Sequence, residues 1–147
     1  MIAYFDTSAL IPLLVEEFGT PTAVELWAAA DERVSARLVQ VEAPAALALA
    51  QRISRITRAQ LADSLRSLDL LLGRLDLVEI TASLTATAAG LAVSQQLRGY
   101  DAVHCAAALS VSSERLVAVA GDRDLLAAWH RLGLATADVG APAGRPA

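Results

Sequence analysis

The chain has 147 residues, 55% of them hydrophobic, with a mean hydropathy of +0.47 and a formal charge of −4. That length makes one domain, which buries roughly 68–70% of its unfolded surface, while its apolar runs stop short of the roughly 18 residues a membrane span needs. The acidic balance excludes a general basic nucleic-acid footprint, and a single cysteine, Cys105, excludes an internal disulfide and reads as core filler.

In chain order, Ile2-Ala3-Tyr4-Phe5 is a short apolar run that ends on Asp6, with two hydroxyls and a helix pattern after it. It reads as a buried strand whose terminal carboxylate caps the next helix. Ser8 to Glu17 is expected to be that helix, with Pro12 tolerated in its first turn and Gly19 ending it. Thr20-Pro21 opens a second helix to about Ala30, with Trp27 in the core. Val34-Ser35-Ala36 is a brief strand, and Leu38 onward is a long helix whose apolar stripe reads as Val41, Ala45, Leu49 and Ile53.

Thr57-Arg58-Ala59-Gln60 has the form of a capping box before a second long helix, striped by Leu61, Leu65, Leu68 and Leu72 and ended by Gly73. The two form a hairpin that could leave one face for a partner helix or a second copy of the chain. Leu75 to Ile80 reads as a strand, Thr81 to Gln96 as a helix, and Asp101 to Leu109 as another. Arg115 to Ala120 is a strand, Gly121-Asp122 turns it into a helix through Trp129, and Leu134 to Val139 is a fifth strand. Residues 1–139 therefore form one α/β domain, a five-stranded, mainly parallel sheet with helices on both faces. Residues 140–147 have no apolar face and are expected to be a disordered tail.

Four acids fall at one edge of such a sheet. Asp6 and Asp122 follow the first and fourth strands directly, so both stand at the carboxyl edge. Glu42 lies early in the helix that leaves strand two, and Asp101 opens a helix that must start where the parallel strands end. Helix capping and the helix dipole account for any one of them. They do not account for all four, because Glu42 is expected past the first turn of an apolar helix with no evident partner. Clustered carboxylates repel unless cations neutralise them, and an all-oxygen set suits Mg²⁺ or Mn²⁺. Two such ions about 3.5–4 Å apart would activate water and stabilise the leaving oxygen in phosphodiester cleavage. Setting these four acids aside leaves the chain neutral, so the acidic balance does not exclude a nucleic-acid substrate held through metal.

Other chemistries are poorly supplied. His104 and His130 are the only histidines, with no zinc-ligand spacing and no Ser-His-Asp ordering. His104, three residues after Asp101, reads as a surface or core residue that could touch the rim. There is no GxGxxG or GxxxxGK[ST] motif.

Asp6-Thr7-Ser8-Ala9-Leu10, Glu42 in an apolar helix, Leu97-Arg98-Gly99-Tyr100-Asp101-Ala102-Val103-His104 and Val119-Ala120-Gly121-Asp122-Arg123-Asp124-Leu125 together resemble PIN-domain ribonucleases, specifically VapC-type toxins. The resemblance spans nearly the whole chain. It implies the PIN-domain fold and a Mg²⁺- or Mn²⁺-dependent endoribonuclease, dimeric and inhibited by a VapB-type antitoxin; separately, the lack of a Lys or Arg before Arg33 leads to the expectation of a cytoplasmic protein. By the same resemblance Asp6 and Asp101 are the principal metal-binding acids, Glu42 the second acid and Asp122 the fourth. Ser8 then matches a hydroxyl that helps hold water or phosphate. The family often has Thr or Ser two residues before the fourth acid, where this chain has Ala120, so Asp124 is an alternative to Asp122. Two other readings remain open: a PIN-like binding module without turnover, and a phosphoacceptor domain of flavodoxin-like topology, which would want an acceptor Asp after its middle strand.

Overall fold

Alternation along the first strand divides the core in two. In the computed structural model, which describes residues 1–141, Ala3 and Phe5 point to one face of a sheet and Tyr4 to the other, all three fully buried. A strand buried on both sides must sit inside a parallel sheet with a helical layer on each face. The elements are β1 (Ile2–Phe5), α1 (Thr7–Leu10, running into a 3₁₀ turn at Ile11–Leu13), α2 (Thr20–Ala29), β2 (Glu32–Ala36), α3 (Val39–Arg52), α4 (Arg58–Leu72), β3 (Asp76–Val78), α5 (Ala82–Ser94), α6 (Gly99–Ser110), β4 (Leu116–Ala120), α7 (Arg123–Arg131) and β5 (Ala135–Asp138).

The five strands are parallel throughout, in the order β3-β2-β1-β4-β5. On one face, Ala3 and Phe5 pack with Leu10, Ala23, Val39, Leu47 and Leu68 from the first four helices. On the other, Tyr4 packs with Leu84, Ala88, Cys105, Leu125 and Trp129 from the last three. Successive strands are added outward from β1 in one direction up to β3 and in the other from β4, and the switch between β1 and β4 opens a crevice at their carboxyl ends, the usual ligand position in an open α/β sheet. A phosphoacceptor fold of the flavodoxin type would have the order 2-1-3-4-5, with strand three at the centre. Here β3 is at the edge.

Three local expectations change. The first helix does not reach Glu17 but ends at Leu10 and tightens into a 3₁₀ turn. Pro12 lies beyond the first turn, where its missing N–H and its ring stop α-helical continuation. Strand β3 is three residues, not six, because it pairs only with β2 and their register runs out at Ala36 opposite Val78.

The largest difference is in α3. Its buried side is Val39, Ala43, Leu47 and Ala50, whereas Val41, Leu49 and Ile53 are 69%, 48% and 57% exposed and Ala45 is exposed with them. The helix is apolar nearly all round, so spacing alone cannot say which stripe faces the sheet. The stripe read from the sequence as core is the outward one. In α4, by contrast, Leu61, Leu65, Leu68 and Leu72 all join the core cluster, and the Thr57–Gln60 capping box forms as expected. Trp27 is only partly buried, tilted against Phe5 at 5.2 Å with Arg33 over its ring.

Gly19, the residue before α2, lies against Val139, the residue after β5. A Cβ there would stand 2.4 Å from the carbonyl oxygen of Val139, so only glycine permits the approach. Of the expected tail, Gly140 is turned back by a bond from its N–H to Asp138 Oδ1 at 2.7 Å. The expectation for residues 142–147 lies outside the described residues.

Candidate acidic site

Each of the four acids arrives on a different element. Asp6 is the residue after β1 and caps α1, its Oδ2 accepting from Ser8 N at 3.0 Å and Ser8 Oγ at 2.5 Å. Asp122 follows β4 by two residues and caps α7, its Oδ1 accepting from Leu125 N at 3.0 Å. Glu42 is in the first turn of α3, not past it, and Asp101 is in the first turn of α6. Capping is therefore real for Asp6 and Asp122, yet it uses only part of either carboxylate.

Ser8 is a strap between the two central strands. Its hydroxyl donates to Asp6 and accepts from Gly121 N at 2.8 Å, so one side chain fixes the β1 exit against the β4 exit. The backbone adds a bond from Asp6 N to Val119 O at 3.0 Å.

Glu42 has two partners that the sequence did not reveal. Thr7 Oγ1 donates to its Oε1 at 2.8 Å, and His104 Nε2 lies 2.5 Å from the same oxygen. His104 is fully buried, with Nδ1 2.8 Å from the Tyr4 hydroxyl and Nε2 3.4 Å from Asp6 Oδ1. Burial alone would lower the His104 pKa, but the bond to Glu42 and the charges of Asp6, Glu42 and Asp101 outweigh it and hold the imidazole above its ordinary value. Glu42 is displaced in the matching sense: burial raises it, and His104 and Thr7 more than reverse that. Tyr4 is pushed well above the usual phenol value by burial and by the negative charge of Asp6 and Glu42. The imidazole thus bridges the two layers, from Tyr4 under the sheet to Glu42 at the rim. Its three-residue offset from Asp101 on α6 already pointed it toward the rim, since i and i+3 share a helix face, but gave no sign of the bond to Glu42.

A second cation closes the other side. Arg98 Nε is 2.7 Å from Asp101 Oδ2 and Arg98 Nη2 is 3.1 Å from Asp122 Oδ2, so one guanidinium spans α6 and the β4–α7 turn. At 79% side-chain exposure this bridge adds little to stability. Even so, Asp101 stays above the ordinary carboxylate value: burial raises it, Arg98 opposes, and Asp122 and Asp6 push it up again. Asp124 is exposed and contributes to the field at Arg98 without bonding it, so Asp122, not Asp124, is tied to Asp101. Ala120 is fully buried in β4.

Asp6, Asp101, Asp122 and Glu42 form an all-oxygen donor set of the hard type that suits Mg²⁺ or Mn²⁺. Among the described residues no three His, Cys, Asp or Glu side chains are drawn together closely enough to enclose one ion. The charge is met from within the chain, by His104 on one side and Arg98 on the other. The oxygen donors suit a divalent cation in kind, the carboxylates would have to draw closer to enclose it, and Arg98 is the group it would compete with. A cavity of about 430 Å³ opens beside these residues, lined by Glu42, Arg98, Gly99, Tyr100 and Asp101. Cys105 is fully buried and its thiol is pushed up to about 11 by that burial, which leaves it packing and no chemistry.

Comparison with known proteins places this geometry. A PIN domain profile matches residues 3–129. Ribonuclease VapC45 and Ribonuclease VapC49, both of Mycobacterium tuberculosis, are each 40% identical to the chain over 132 residues, covering 90% of it and 92% of the relative. Among solved structures, PAE2754 from Pyrobaculum aerophilum superposes with a TM-score of 0.69 at 26% identity, over 95% of this chain and 85% of that one. A toxin–antitoxin complex from Klebsiella pneumoniae superposes with a TM-score of 0.60 at 20% identity, over 83% of this chain and 88% of that one. The last likeness is one of fold.

Proposed function

The chain belongs to the PIN-domain family, and within it to the VapC type, and from that premise we propose that it is a metal-dependent endoribonuclease and the toxin of a toxin–antitoxin pair. The observation that carries the reading is the convergence of Asp6, Glu42, Asp101 and Asp122 from four elements on the crevice between β1 and β4. Asp6 and Asp101, with Glu42 and Asp122, would hold Mg²⁺ or Mn²⁺, which when bound would supply an activated water and charge stabilisation for phosphodiester hydrolysis.

The chain's own residues prepare that site. Ser8 fixes the rotamer of Asp6 and holds β1 against β4. Thr7 and His104 aim Glu42 and keep it ionised. Tyr4, beneath, holds the imidazole in place from the core. Arg98 neutralises Asp101 and Asp122 until a cation takes its place. The RNA ribonucleases VapC45 and VapC49 by name support the substrate class.

The partner is proposed as a VapB-type antitoxin, supported by the toxin–antitoxin complex that shares the fold and by the outward stripe of α3. Val41, Ala45, Leu49 and Ile53 extend about 18 Å from the rim at 1.5 Å per residue. A partner segment along that stripe would reach the acids with an Arg or Lys, whose guanidinium or ammonium group satisfies carboxylates well. A second copy of the chain is the other proposed occupant of an apolar helix face of this kind, as a homodimer. Among the described residues no helix is long and apolar enough to cross a membrane, and the site of action is proposed as the cytoplasm, with its RNA.

One observation favours a second reading, a PIN-like binding module without turnover: every acid of the site already has a donor from its own chain. Digestion of total RNA by purified protein with Mg²⁺ or Mn²⁺, against EDTA and the Asp6→Asn variant, separates the two. Discrete cuts that vanish in both controls are expected. RNA bound but left whole in Mg²⁺ and Mn²⁺ would establish the binding module instead.

A further inference from the structure

Tyr100 is 67% exposed at the second position of α6, a helix whose next turns include the buried Ala102, His104, Cys105 and Ala106. A lone surface aromatic needs no explanation. This one has a setting. It lines the 430 Å³ cavity together with Arg98, Gly99, Glu42 and Asp101, and among the described residues its hydroxyl makes no hydrogen bond. At Gly99, between Arg98 and Tyr100, an added Cβ would meet nothing within 4 Å, so the backbone leaves open space beside the ring. Other exposed apolar side chains, Val93 at 82% and Leu70 at 75%, line no part of this cavity.

The lining is divided chemically. An aromatic face and a guanidinium stand on one short segment beside Asp101, and Glu42 lines the cavity from another element. A nucleotide of an unpaired strand has the matching division, a planar base with a phosphodiester at its edge. Aromatic stacking is the sequence-tolerant way to hold such a base, and the anionic backbone needs a cation beside carboxylates that repel it. Among the described residues, Arg98 is the only Arg paired with any of the four acids.

We propose that the Arg98–Tyr100 segment is the substrate subsite of this enzyme, with Tyr100 stacking on an unpaired nucleobase next to the scissile phosphate and Arg98 contacting the phosphodiester. The proposal rests on the nuclease reading and extends it to a residue that selects single-stranded or looped RNA over duplex.

The test is steady-state cleavage of a single-stranded RNA oligonucleotide, and of a series carrying one abasic nucleotide at each position around the cut. Wild type, Tyr100→Phe and Tyr100→Ala are compared after thermal melting has shown each to be folded. Tyr100→Phe keeps KM within about twofold, while Tyr100→Ala raises KM roughly 5- to 100-fold, the range expected for one base–aromatic stack, with kcat changed far less. In wild type, one abasic position reproduces that rise; in Tyr100→Ala the same abasic position costs nothing further. A merely structural tyrosine would not make the two losses merge. The inference falls if Tyr100→Ala leaves KM within twofold, if the two losses multiply, or if Tyr100→Ala cuts RNA normally and loses only binding to a protein partner. In each case wild-type cleavage leaves the nuclease reading standing. Wild-type protein that cuts no RNA overturns both.

Discussion

Asp101 stands above the ordinary carboxylate value because burial and the neighbouring Asp122 and Asp6 outweigh Arg98. A carboxyl whose pKa is raised on folding opposes folding when charged, so the native state is helped by its protonation and this help is lost as pH rises through the folded value. Removing the charge at neutral pH should therefore not harm the metal-free protein. Asp101→Asn is expected to melt in EDTA at or slightly above wild type while RNA cleavage falls by at least about 100-fold, the scale of losing one charge-stabilising group at a reacting centre. A large drop in melting temperature would make Asp101 a structural residue. Asp6, Asp122 and Asp101 were legible in the sequence as strand-end and helix-start acids. Thr7, His104 and Arg98 were not given their roles: Thr7 and His104 reach Glu42 across 35 and 62 positions, and Arg98, though three residues from Asp101, bridges to Asp122 across 24.

At the scale of elements, α3 separates two kinds of apolar residue that look alike in the sequence. Leu47 is fully buried between β1 and α4, and Leu49, two residues on, is 48% exposed. Leu47→Ala should cost about 2–5 kcal/mol in urea unfolding, from lost burial and the cavity left behind. Leu49→Glu should change stability by less than about 0.5 kcal/mol and weaken co-purification with the protein encoded beside this one. If Leu49→Glu unfolds the chain, the outward stripe is core after all. If it leaves partner binding and self-association intact, the stripe is not the docking face. Period could not decide between the stripes, since both repeat every three or four residues. Sheet position decides it, because α3 must present Val39 and Ala43 to Phe5 and Leu10.

For the whole molecule, a ligand that binds the native state alone stabilises it by mass action, by about 2.7 kcal/mol at a hundredfold excess over Kd. Mg²⁺ should thus raise the melting temperature of wild type. The shift should shrink in Asp6→Asn, and in Glu42→Gln by less, because Glu42 remains held by Thr7 and His104. Equal shifts in all three proteins would place the cation elsewhere. The alternation of strand and helix made the layered parallel sheet legible in advance, and its five strands fall where the apolar runs fall. Strand order was not legible, because nothing in β1 itself says that it pairs with β4 across 114 residues.

That pairing governs when the crevice can come into being. Ile2 to Phe5 are made 114 residues before their neighbours on one side, Leu116 to Val119, and the Ser8–Gly121 strap closes only after both. At about 5–20 residues per second of synthesis, the nascent chain spends roughly 6 to 23 seconds with Asp6 translated and no Asp101–Asp122 wall to face it. A growing chain that has not yet made β4 and Asp122 therefore harbours no assembled acidic crevice. A circular permutant that begins at β4 would bring the two central strands together early and forfeit that delay.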